Sequence, residues 1–447
     1  MTRGILFLAA LFLWAEPGWA AGEGQRSITK ETILQWVERY RDTQPQFKPG
    51  ETVTAANREQ LRPFLSPGYF EEFDFPEAEF AITPTGDYAP HQAYRDATEK
   101  FASQTRLAAD GALEGYIAGR PFPNDRLDPQ DPTAGIKAAW NFNYRWQHYG
   151  QKVEKFGWVL LHQGGTPSAQ QGLPAGLITG GGTVERVLAQ RYQRVYLSHL
   201  AMMPEHNYIF PVSDAAQLEW KDIAEFTDPY EMRGQRLLMQ RAADPHLADQ
   251  AWTYVPALRK VRRVSVEEKS DSALGSDTTF DDYYGFSGRV LEHNWKFYGW
   301  RQVLHVMNSQ HAYPHYYGPK GRVPHDRWEL RRCAVIEQIP KDPRYPYSSK
   351  ILFWDAQTYE TVVALAFDRA GKLWKVWGMQ DSWSEAAQDE AEMNHGTFVA
   401  RYLGVTVIDV KNEQATLSPT FGMGYPTVTP EDVARLYDLN KLTEGKR

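Results

Sequence analysis

The chain has 447 residues, 23% of them charged and 13% aromatic, with a formal net charge of −7. So much aromatic surface must be buried or set against a ligand, which excludes a disordered chain, and the mild acidity excludes a global attraction to nucleic acid. The single cysteine, Cys333, excludes an internal disulfide and leaves stability to packing.

The N-terminus reads as an export signal. Arg3 supplies a positive start, Ile5 to Ala15 an apolar run, and Gly18-Trp19-Ala20 a small-x-small cleavage site. The run is too short to cross a bilayer as a helix, and no cysteine follows it to carry a lipid. Residues 1–20 are therefore expected to be a signal peptide cleaved near Ala20. Residues 21–447 are expected to form a single domain, soluble in the periplasm, since neither a linker nor an internal repeat divides them.

Helical signals gather at the two ends. Ser27 or Thr29 caps a first helix on which Ile33, Leu34, Val37 and Tyr40 recur at helical spacing. A short helix is expected around Asn57 to Leu65. At the far end, Thr429-Pro430-Glu431-Asp432 sets a cap, a first-turn proline and first-turn acids ahead of Val433, Leu436 and Tyr437.

Between these ends the pattern is that of antiparallel strands. Trp295 and Phe297 alternate around Lys296. Trp328, Leu330, Ala334 and Ile336 alternate with Glu329, Arg331 and Glu337, the period of a sheet with one wet face. Phe367 to Leu373 has hairpin chemistry, with Gly371 free to take a positive φ. Residues 119–135 and 162–182, rich in glycine, proline and polar residues, are expected to be surface loops. The predicted architecture is mainly β with flanking helices: one strongly curved antiparallel sheet covered by helices.

Four blocks carry a family resemblance. They are Trp252 to Phe286 (WTYVPALRKVRRVSVEEKSDSALGSDTTFDDYYGF), Ala118 to Trp146 with its Gly-x-Pro-Phe-Pro start, Asp281 to Gly299, and Arg327 to Trp377. In these the chain resembles family 1329 of the domains of unknown function, over roughly residues 30 to 440; Tyr359 stands where a tryptophan is expected. The resemblance implies a half-open β-barrel similar to the LolA and LolB carriers, with helices in or over its mouth and an apolar interior. It also implies a hydrophobic small molecule or lipid as partner, and a transporter of the resistance-nodulation-division type or an outer-membrane protein beside it. Transient contact with a membrane surface is expected; nucleic acid is not, and no cofactor is implied.

Trp252, Tyr254, Trp295, Phe297, Trp354 and Trp374 are the candidate ligand-binding residues, because rigid aromatics on strand faces suit an apolar cavity. Each also suits plain core packing. Arg259, Lys260, Arg262 and Arg263 are candidates for docking to a membrane surface or a partner, although a strand would divide them between two faces.

No catalytic or metal constellation emerges. Asp271, Asp277, Asp281 and Asp282 do not have EF-hand spacing, and Asp281 and Asp282, as strand neighbours, cannot flank one glycosidic bond. His305, His311 and His315 read as surface or loop histidines. Three functions remain open: a periplasmic carrier of a hydrophobic molecule, an envelope enzyme or carbohydrate-binding protein using an aromatic cleft, and an assembly subunit without a ligand.

Overall fold

Thr29 is the cap of the first helix. It receives the backbone N–H of Thr32 while the Thr32 hydroxyl reaches back to Thr29 N, and α1 (Lys30–Arg39) buries Ile33, Trp36 and Val37 behind that box. The computed structural model describes residues 25, 27–162, 173–264, 272–388 and 391–443. The signal segment, residues 163–172 of the loop expected at 162–182, and Asp271 lie outside the described residues. The longer helices that follow are α2 (Gln92–Phe101), α3 (Ala134–Asn143) and α4 (Pro430–Leu436), the last capped by Thr429 and Asp432, and a single turn forms at Ala391–Asn394. Near Asn57 the chain makes a 3-10 stretch, Ala55–Leu61.

Sixteen strands form one open sheet among the described residues. β1 (Thr52–Thr54) and β2 (Glu79–Ile82) come from the N-terminal segment. A first meander comprises β3 (Lys152–His162), β4 (Thr183–Tyr196), β5 (Leu218–Asp228), β6 (Arg236–Ala242), β7 (Gln250–Val255) and β8 (Lys260–Val264). The second comprises β9 (His293–His305), β10 (Arg327–Pro340), β11 (Ser349–Asp355), β12 (Thr361–Phe367), β13 (Leu373–Trp383) and β14 (Ala400–Asp409). β15 (Gln414–Leu417) bridges β14 to β3, and β16 (Thr420–Gly424) also lies on β3. The order is β1-β2-β10-β11-β12-β13-β14-β15-β3-β4-β5-β6-β7-β8, with β9 on β10; every pairing is antiparallel except β2 with β10. Gly371 closes the β12–β13 hairpin at φ +75°, as its sequence promised.

The expected wet face is absent. Glu329, Arg331 and Glu337 are buried because the central strands carry a layer on each side. On the outer face, α1 and the segment up to Ile82 pack Ile33, Trp36, Phe64 and Phe73 against Cys333, Val335, Phe353 and Leu365. The charges survive there by pairing: Arg331 with Asp355 at 2.8 Å and Glu329 at 2.9 Å, and Glu337 with Lys30 at 2.9 Å. On the inner face, α2 and α3 pack against Ala334, Ile336, Leu352, Trp354 and Trp377. α4 covers the outer side of the first meander, where Val433 and Tyr437 meet Val195, Leu197 and Leu238. The 119–135 loop is not a free surface loop either, since Phe122 and Leu127 anchor it in the inner layer.

Candidate functional site

α3 fills only half of the inner face. Gly135 lets it approach β9 so closely that a Cβ there would lie 2.5 Å from the Trp295 carbonyl carbon, and Phe142 stacks on Trp354 at 4.6 Å between ring centroids. Beneath β3–β8 the inner face is not filled, leaving a cavity of about 260 Å³.

Period-two alternation builds its floor. Gln190, Tyr192 and Arg194 point in from β4, Trp220, Asp222, Ala224 and Phe226 from β5, and Leu237, Met239 and Arg241 from β6. A register shift in β3 between Val153 and Phe156 keeps Val153, Phe156 and Trp158 on the same side. At the centre, small Ala224 sits between its cross-strand partners Tyr192 and Leu237.

The cover is the segment after the first meander, whose Leu274, Phe280, Tyr283 and Tyr284 close over the floor. It holds strained backbone: Leu274 and Tyr284 take φ of +58° and +56°, a region that disfavours bulky L-residues. Contacts to the second meander fix it. Lys350 pairs with Asp282 and donates to Gly285 O at 3.0 Å, and the Thr361 hydroxyl donates to Tyr284 O. Asp281 and Asp282 therefore lie in a capped 3-10 turn, Phe280–Gly285, rather than the expected strand, and Asp282 caps it through the Thr279 N–H at 2.9 Å.

The cavity is graded in polarity. At one end Trp220 lies between two guanidiniums, Arg194 at 4.1 Å and Arg241 at 4.8 Å from its ring centroid. Arg194 donates to both carboxylate oxygens of Asp222 at 2.6 Å, and Arg241 pairs with Asp249 at 2.9 Å. Burial opposes the charge on Arg194, but Asp222 outweighs it and holds the guanidinium protonated. Burial also lifts the Tyr192 and Tyr283 hydroxyls well above the usual phenol range, and Tyr284 to about 12, so all three remain neutral donors. Toward the other end the wall is Trp158, Phe226, Leu237 and Phe280, with Gln190 and Gln235 beside Phe226.

None of the six aromatics expected to bind ligand lines this cavity. Trp252 and Tyr254 flank Thr253, which does line it; alternation turns the two aromatics outward to pack with Val261 and Ile223 in the layer under α4. Trp295, Phe297 and Trp354 are on the inner face but buried against α3, with the Trp295 indole donating to Val290 O at 2.8 Å. Trp374 is half-buried and donates to Asp409 at 3.0 Å. The four basic candidates are exposed on β8 and its turn: Arg262 faces the same side as Thr253, Arg263 the same side as Trp252, and Arg259 holds the turn at φ +48°.

The chain's sequence matches, over residues 52–427, the model of a family described as "Protein of unknown function (DUF1329)". The chain belongs to the DUF1329 family. Among solved structures, this DUF1329 chain is similar to a DUF1329 family protein from Desulfovibrio piger, at 15% identity over 70% of this chain and 99% of that one, TM-score 0.46. It is similar to a domain from Vibrio parahaemolyticus described as outer membrane lipoprotein-sorting, at 16% identity over 70% and 100%, TM-score 0.45. A LolA superfamily protein from Nitrosomonas europaea aligns at 13% identity over 67% and 94%, TM-score 0.36. No curated protein matches it.

Among the described residues no three His, Cys, Asp or Glu side chains are grouped to hold a metal ion. The expectation that His305 lies at the surface is wrong: it is buried on β9, hydrogen-bonded to Asp381 at 2.7 Å, and burial lowers its pKa to about 4. At its end β9 is covered on both faces, with Val303, Leu304 and His305 all buried. His311 and His315 stack on each other at 3.8 Å. The cavity liners were missed because β4 and β5 point polar and apolar residues alike inward, so alternation marks two faces without saying which one is hollow.

Proposed function

We propose that this DUF1329 protein is a periplasmic carrier that holds a hydrophobic or amphiphilic molecule between the β3–β8 floor and the 273–287 cover. One observation carries the reading: a cavity of about 260 Å³ whose walls are largely aromatic and aliphatic, beside an inner layer packed by α3. Each methylene moved into such a space contributes about 0.8 kcal/mol, so part of one acyl chain suffices for useful affinity. The paired guanidiniums and the Tyr192 and Tyr284 hydroxyls at one end suit a polar head, and the more apolar end suits a tail.

The export signal in the sequence supports a periplasmic place of action, and no helix among the described residues is long and apolar enough to cross a membrane. Exchange with an inner-membrane exporter of the resistance-nodulation-division type and with the outer membrane fits a reversible carrier. The cover is the element that must move, and its two left-handed residues place strain where motion is needed.

The test is native mass spectrometry with lipid extraction on mature protein drawn from a periplasmic fraction. A co-purifying hydrophobic species that Ala224→Phe eliminates is the expected result. A clean apo mass, with no uptake of added fatty acid or phospholipid, refutes the carrier.

A further inference from the structure

Two neighbouring hairpin tips carry apolar side chains inside a cationic border. Tyr230, in the β5–β6 connection, is 82% exposed and Leu258, in the β7–β8 connection, is 49% exposed; they are two of four large hydrophobic side chains so exposed among the described residues. The tips are adjacent: Arg236 at the start of β6 pairs with Tyr254 near the end of β7, and a Cβ on Gly234 would lie 3.5 Å from Pro256. Around them Arg233, Arg259, Lys260, Arg262 and Arg263 are all exposed.

The charge is local. Segments 228–234 and 256–263 hold these five cations against Asp228 and Glu231, a balance of 5 − 2 = +3 in a chain of net −7. The sequence continues with Glu267, Glu268, Lys269 and Asp271, and residues 256–271 still balance at 5 − 3 = +2. Of these cations, only Arg233 has a carboxylate near it among the described residues, Asp228 at 3.9 Å.

We propose that these two tips dock the protein on an anionic phospholipid surface, with Tyr230 and Leu258 entering the interface and the cations meeting lipid phosphates. Charge complementarity favours this occupant. So does shape: two protruding side chains offer far less than the roughly 800 Å² per partner of a stable protein interface, whereas a bilayer asks for no matching contour. The placement also suits the carrier reading, on which this inference rests for its purpose. Phe226 leads directly into the β5–β6 tip, so docking turns the apolar end of the cavity toward the bilayer and keeps the Arg194 and Arg241 end away from it.

The experiment is flotation of the mature protein with vesicles of phosphatidylcholine alone or mixed with phosphatidylglycerol. Binding to the mixed vesicles, absent on phosphatidylcholine and weakened by salt, is expected. Arg259→Glu with Arg262→Glu and Arg263→Glu, and separately Tyr230→Ser with Leu258→Ser, should each lower it at least about tenfold. Both variants change exposed side chains, and circular dichroism checks the fold. Absence of binding, or equal binding by the variants, overturns the proposal, as does tip-dependent binding that appears only when membrane protein is present. Fatty-acid uptake is measured in parallel. Tip variants that lose vesicles but keep uptake support docking, and tip-dependent docking by a wild type without uptake sinks the carrier reading alone.

Discussion

Replacing Ala224 by Phe puts an aromatic ring at the centre of the proposed ligand site. Ala224 lies between Tyr192 and Leu237 on the floor of a cavity of about 260 Å³, with Asp222 and Phe226 beside it on the same strand. The ring displaces the space of about five methylenes. At about 0.8 kcal/mol each this removes about 4 kcal/mol of ligand affinity, close to a thousandfold. The ring enters open space, so the fold should lose less than the ~1–3 kcal/mol usual for overpacking a filled core. A fluorescent fatty acid titrated into both proteins, with thermal unfolding run alongside, reads both quantities. Affinity within about threefold of wild type, with the melting temperature unchanged, would show that ligand does not occupy this cavity.

Trp354→Ala removes a fully buried indole stacked on Phe142 and should cost about 4 kcal/mol in urea unfolding, as a core residue does. Trp252→Leu, on the outer face, should leave fatty-acid affinity unchanged in the same titration, whereas a large loss would reassign the site to that face. Asp222→Asn leaves the buried Arg194 without its carboxylate and should destabilise by about 3–5 kcal/mol, measured by denaturation. Glu360 is buried, and although Arg145 lies 2.8 Å away, burial raises its carboxyl to about 7. The native state then binds a proton that the unfolded state has released. Relative to Glu360→Gln, wild type should lose about 3 kcal/mol between pH 4.5 and 8, and parallel stability curves would contradict this.

The sequence by itself determined the cap at Thr429, the hairpin at Gly371 and the mainly β character, and narrowed the first cap to Ser27 or Thr29, because each rests on local chemistry within a few residues. The division of the basic run between two faces of a strand was legible for the same reason. Only the tertiary structure decided which face of each strand is core, cavity or surface. The period of two separates Thr253 from Trp252 and Tyr254 but is blind to α4, which buries the aromatics, and to the cover, which encloses the threonine. Likewise Glu329, Arg331 and Glu337 read as solvent-facing until Lys30, Asp355 and the N-terminal layer arrive from distant sequence to bury and pair them. Local spacing fixes the direction in which a side chain points, and long-range packing fixes what it meets there.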